Sequence, residues 1–151
     1  MKRTLTFITI AIGVAILAGS ALAAATGGQA ASVKFRAVLT AAQETDHPKG
    51  VKAGASGLFT ATLTGKTLKW TLTWKNLTGP ANQAHIHKGK RGVGGDVLVP
   101  LCPPGCTSPN HGTAVVTTAA IKLMKSGGTY VNVHTTKNIL GEIRGQISQA
   151  K

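Results

Sequence analysis

Three histidines in this chain fall at spacings that can bring imidazoles together. In Ala84-His85-Ile86-His87 the period of two of a β-strand places His85 and His87 on one face and Ala84 and Ile86 on the other. In Tyr130-Val131-Asn132-Val133-His134 the apolar Val131 and Val133 point one way, so His134 points the other way with Tyr130 and Asn132. If the two strands are neighbours in register, three imidazoles converge on one polar face. Three neutral imidazoles suit copper or zinc and leave a position open for water. The competing expectation is that each ring only hydrogen-bonds a carboxylate or a backbone carbonyl, because H-x-H on a strand is a weak motif by itself. His47, beside Pro48, and His111, beside Asn110, lie in turn-like contexts and are expected to be solvated.

The remaining polar residues narrow the chemistry. Glu142 and Arg144 alternate with Ile143, so they project together and are expected to form an ion pair on the polar face, with Gln146 next in line and Asn132 in the same network. The acids Glu44, Asp46, Asp96 and Glu142 are widely spaced, which disfavours a glycosidase pair of carboxylates. No serine stands in a G-x-S-x-G context, and no glycine-rich phosphate loop opens a helix. A non-catalytic role is therefore the expectation.

These side chains need strands to position them, and the sequence supplies short β-rich runs divided by Gly, Pro and Asn. The runs are 33–39, 57–63, 67–74, 84–87, 96–101, 111–117, 129–134 and 142–147. The clearest hairpin joins Leu58–Leu63 to Thr67–Trp74 through Thr64-Gly65-Lys66. Phe59, Ala61 and Leu63 share one face, as do Leu68, Trp70, Leu72 and Trp74, with Thr and Lys opposite. Both tryptophans are expected in the core. The one helix-like stretch is 118–126, stopped by Gly127-Gly128. The predicted fold is all-β: an antiparallel sandwich or barrel-like Greek-key domain of about eight short strands with at most one short helix.

The N-terminus predicts the compartment. Met1-Lys2-Arg3 is basic, Leu5 to Leu17 is apolar but too short to cross a bilayer, and Ala21-Leu22-Ala23 offers a small-residue cleavage pattern. Residues 1–23 read as a signal peptide, 24–31 as a flexible leader of small and polar residues, and 32–149 as one β domain, with no membrane span expected in the mature chain. Cleavage removes two cations and no acid, so the formal charge of +13 becomes +11. Such a field suits an anionic envelope polymer or lipid surface. No nucleic acid is expected, because no Arg-rich or aromatic-interleaved cluster occurs. Cys102 and Cys106 bracket Pro103-Pro104-Gly105, and in an oxidising compartment a disulfide pinning this loop is the simplest reading.

Several motifs in order resemble one family. Leu39-Thr40-Ala41-Ala42-Gln43-Glu44-Thr45, Gly54-Ala55-Ser56-Gly57, Ala84-His85-Ile86-His87-Lys88-Gly89, Gly95-Asp96-Val97, Tyr130–Thr135 and Gly141–Ile147 together resemble the CHRD domain, named for chordin, over residues 33–148. The resemblance implies an extracellular β domain acting as a structural or recognition module, without an established catalytic activity. The H-x-H strand with a later strand histidine also resembles Cu/Zn superoxide dismutase, though in that motif alone. A dismutase-like role would ask Arg144 to attract an anion near His134, while His111 and Asp96 have no spacing that supports a second metal.

Overall fold

The computed structural model describes residues 31–151; the signal-peptide reading of 1–23 and nearly all of the leader lie outside the described residues. The elements are β1 (Ser32–Thr40), a 3-10 turn (Ala41–Gln43), β2 (Ser56–Thr64), β3 (Thr67–Lys75), β4 (Ala81–Lys88), β5 (Val97–Cys102), β6 (Asn110–Val115), α1 (Thr118–Lys125), β7 (Thr129–Thr135), β8 (Ile143–Gln146) and β9 (Ser148–Gln149). All eight expected strands form, and a two-residue β9 is added at the end.

One antiparallel sheet results, in the order β5-β4-β7-β8-β1-β2-β3-β6, with β9 on β1. Its end strands β5 and β6 approach each other, so the barrel-like alternative forms rather than two separate sheets. Period-two patterning dictates this curl: Phe35, Leu39, Phe59, Leu72, Ile86 and Val131 all turn to the inside and are buried. Rolling the sheet gives that apolar face a single enclosed core, which is the main favourable term available to so small a domain.

The β2–β3 hairpin is tighter than expected. Thr64 pairs with Thr67, leaving a two-residue loop in which Gly65 takes φ +59°. A positive φ at that position matches the right-handed twist of the strands. Trp70 is buried and its indole N–H donates to Asn110 Oδ1 (3.2 Å), tying β3 to β6, whereas Trp74 lies half-buried at the rim. A Cβ on Gly112 would collide with the Trp70 ring, so that glycine is what lets β6 close on β3.

Helix α1 follows the barrel closure. Thr117 caps it by accepting from Ala120 N–H (3.1 Å), and Gly127 at φ +70° ends it, with Gly128 N–H returning to Leu123 O (2.8 Å). Among the described residues no helix is long and apolar enough to cross a membrane.

The central strand β7 departs from the alternation expected of a half-exposed strand, because every one of its seven residues is buried. Its inner face meets the core, and two loops fold over its outer face. The loop Gly89–Asp96 and the loop Thr136–Gly141 are anchored there by hydrogen bonds from Arg144, His87 and His134 to their carbonyls.

Candidate functional site

The register of β4 against β7 builds the site. Gln83 pairs with His134, His85 with Asn132 and His87 with Tyr130, so these six side chains share the outer face of the barrel. The expected convergence occurs: one ring nitrogen from each of His85, His87 and His134 lies within 4.8 Å of the others. His85 Nδ1 is 3.2 Å from His134 Nε2, and the His85 and His87 ring centres are 5.4 Å apart. His47 and His111 stand apart and exposed, His111 sharing a hydrogen bond with Thr71 (3.0 Å).

Two of the three rings are oriented by the covering loops. His87 Nδ1–H donates to Gly95 O and His134 Nδ1–H donates to Ile139 O, each at 2.9 Å. These bonds leave Nε2 of both rings as the lone-pair nitrogen, and such backbone bonds are the usual way a ligating imidazole is held. His87 Nε2 is buried and has no hydrogen-bond partner among the described residues. No carboxylate belongs to the cluster.

The electrostatics keep the rings neutral. Burial, aided by His134 and His87, lowers the His85 pKa to about 4. Burial also lowers His134, with His87 adding to the effect, and it lowers His87, where Arg144 adds to the effect against the Gly95 bond. Neutral imidazoles at pH 7 are the form that ligates a metal.

The rest of the polar face is arranged differently from expectation. Glu142 and Arg144 do not pair. Glu142 is fully buried, and its carboxylate accepts from Thr78 N–H (2.6 Å), Thr78 Oγ1–H (2.5 Å), Thr135 Oγ1–H (2.6 Å) and Asn138 Nδ2–H (3.0 Å). Those bonds hold its pKa below the ordinary carboxylate value despite burial. Arg144 is 1% exposed, donates from Nη2 to Lys90 O (3.0 Å) and Val93 O (2.8 Å), and lies over the Tyr130 ring. Locked in this way, it offers no free guanidinium to an anion near His134. Among the described residues no imidazole bonds to Glu142, so the closed polar network expected of these residues does not form; Asn132 is buried beside the His87 ring, with Oδ1 unpartnered among the described residues.

Cys102 and Cys106 are joined by a 2.05 Å S–S bond. The loop they pin, with Gln83, His85, Pro100 and Leu101, walls a pocket of about 420 Å³ beside the half-exposed His85.

A family model for the CHRD domain matches residues 35–147. The chain belongs to the CHRD-domain family. Searches of curated proteins and of solved structures give no match. In this CHRD domain the matched region holds all three clustered histidines, the two covering loops and the disulfide. Membership is consistent with a structural or recognition module.

Alternation places Tyr130 on the His134 face and Gln146 in line with Arg144, but it does not give their partners: Gln146 donates from Nε2 to Gly89 O, Gly127 O and Thr129 O (2.9, 2.9 and 2.8 Å). Nothing in the sequence signals that Thr78, 64 residues away, serves Glu142.

Proposed function

We propose that this CHRD domain works outside the cytoplasm as a binding module that holds one copper or zinc ion through His85, His87 and His134. The observation that carries this reading is the set of three neutral imidazoles gathered on one face with no carboxylate among them, two of them oriented by backbone carbonyls. A tetrahedral centre with bonds of about 2.1 Å spaces its ligands by about 3.4 Å. His85 Nδ1 and His134 Nε2, 3.2 Å apart in a hydrogen bond, have nearly that spacing, with the ion taking the place of the shared proton, and the widest gap is at most 4.8 Å. The basic signal-like N-terminus and the disulfide favour the exported compartment.

Calorimetric titration of the purified domain with Cu²⁺ and Zn²⁺ at neutral pH tests the reading. Submicromolar binding at one ion per chain is expected, and its loss in a folded His85→Ala, His87→Ala, His134→Ala variant. Weak binding that is equal in both proteins sinks it.

A second reading rests on a different face. On the outside of β1–β3, Lys34 and Lys69 flank Thr62, and Arg36 lies beside Thr60 and Thr71, with Lys75 at the end of β3. None of the four acids lies on these strands. This field suits an anionic envelope polymer or lipid surface, and the retention it gives on an anionic support falls steeply with salt. Retention that is unchanged at high salt excludes it.

A further inference from the structure

The metal reading leaves one coordination position unassigned, and the residues around the cluster say what fills it. Three imidazoles give three bonds, whereas copper and zinc centres of this kind take at least a fourth ligand. Among the described residues no carboxylate or thiolate joins the cluster to supply it. Glu142 is committed to Thr78, Thr135 and Asn138, and both cysteine sulfurs are spent on each other.

Asn132 is the buried polar residue on the same face as the three rings. It sits directly across the strand pair from His85 and two residues before His134 on β7. It is 2% exposed, and its Oδ1 has no hydrogen-bond partner among the described residues. An unpaired buried carbonyl oxygen is costly, so a donor beside it is favoured. A water on a metal is such a donor, because the ion polarises its O–H bonds. On its exposed side His85 borders the 420 Å³ pocket under the Pro100–Pro104 segment, which gives small molecules a route to the ion.

We propose that the fourth position of the centre is held by an exchangeable water whose proton is accepted by Asn132 Oδ1, and that small anions replace this water by way of the pocket beside His85. The proposal rests on the three-histidine reading. Asn132 acts in it as a positioning residue rather than a ligand, and the site becomes a receptor for one small ligand.

The experiment uses the purified domain loaded with one equivalent of Cu²⁺. Water-proton relaxation is expected to exceed that of a copper ion with no bound water, and azide should lower it saturably while a ligand-to-copper charge-transfer band grows. In Asn132→Leu, copper affinity should fall by about ten- to a hundredfold, the range for losing a residue that orients a metal's ligands, and the extra relaxation should shrink. In Asn132→Asp, which keeps an acceptor but adds charge, the bound water should persist and ionise at higher pH than in the native domain. Copper that binds to the native domain without extra relaxation and without an azide band overturns the open position. Unchanged copper affinity and relaxation in folded Asn132→Leu, or an unmoved ionisation in Asn132→Asp, overturns the role of Asn132. Failure of the native domain to take up copper instead defeats the three-histidine reading itself, so the two failures are distinguishable.

Discussion

Arg144 and Tyr130 form a single stacked unit: the guanidinium carbon stands 3.4 Å above the centre of the phenol ring. Strand β4 lies on the other side of β7, and from it His87 stacks on the same ring at 5.0 Å between centres with planes 8° apart. One continuous stack therefore runs from a buried arginine to a member of the histidine cluster. The same guanidinium holds the Gly89–Asp96 loop through Lys90 O and Val93 O, and that loop supplies the Gly95 carbonyl that orients His87. Loop position and ring orientation are thus fixed by one side chain.

Arg144→Lys tests this coupling. An ammonium keeps the charge but loses the planar face and the fork of donors, so it cannot stack on Tyr130 and reach both carbonyls. Stability should fall by about 1–3 kcal/mol. Amides of the 89–96 loop should exchange faster than those of the distant β2–β3 hairpin. Equal protection of the loop in both proteins would show that Arg144 does not anchor it.

Glu142 makes the second prediction. Its carboxylate accepts four donors while fully buried, an arrangement that only a charged, acceptor-only group satisfies. In Glu142→Gln one oxygen becomes an NH₂ facing donors, and a loss of about 1–3 kcal/mol follows from the unpaired groups. The urea midpoint reads this loss. A midpoint within error of the native value would mean that the four bonds contribute nothing net.

The barrel and the histidine face were both legible because both depend on period two. Phe59, Ala61 and Leu63 against Leu68, Trp70 and Leu72 declare an inner face from composition alone, and His85, His87 and His134 declare an outer one. Alternation, however, tells only which side of a strand a residue takes. It does not tell what covers that side. The burial of Asn132, His134 and Arg144 is set by two loops that lie across them, and loop placement depends on carbonyl hydrogen bonds such as Arg144 to Val93 that leave no residue pattern. The expected Glu142–Arg144 pair failed for the same reason: opposite charges two apart on a strand attract, but each found better-formed partners, one in Thr78 and Asn138, the other in backbone carbonyls and a ring.

The disulfide should matter more for the pocket than for the fold. Cys102 and Cys106 are four residues apart, and closing so short a loop removes little chain entropy, giving about 2 kcal/mol. Cys102→Ser with Cys106→Ser should lower the melting temperature modestly and leave the far-ultraviolet spectrum unchanged. The change in amide chemical shifts should concentrate at Gln83, His85 and the Pro100–Pro104 segment, which wall the pocket. Global unfolding of the variant would show that the bridge holds the barrel and not only its rim.

Glu44 gives the pH prediction. It is 8% exposed, its Oε1 has no partner among the described residues, and a Cβ on Gly141 would collide with its carboxyl, so the group is enclosed against the β7–β8 connection. Burial raises its pKa from 4.5 to about 7, with Arg144 pulling the other way. Between those two pH values the folded chain keeps a proton that the unfolded chain has released. Stability from this group is therefore fully present below pH 4.5 and is lost as pH rises through about 7, by an amount on the order of 3 kcal/mol. His85, His87 and His134, whose pKa values are lowered from 6.5, slope the other way over most of this range, so the total curve hides the effect. The difference between Glu44→Gln and the native chain isolates it: the variant should gain stability relative to native as pH rises from 4.5 to above 7, because its amide stays neutral throughout. Unfolding free energies measured in urea at half-unit steps across that range read the difference directly. A difference that stays flat would mean that Glu44 ionises in the fold as easily as in water, and that its enclosure by Gly141 carries no electrostatic cost.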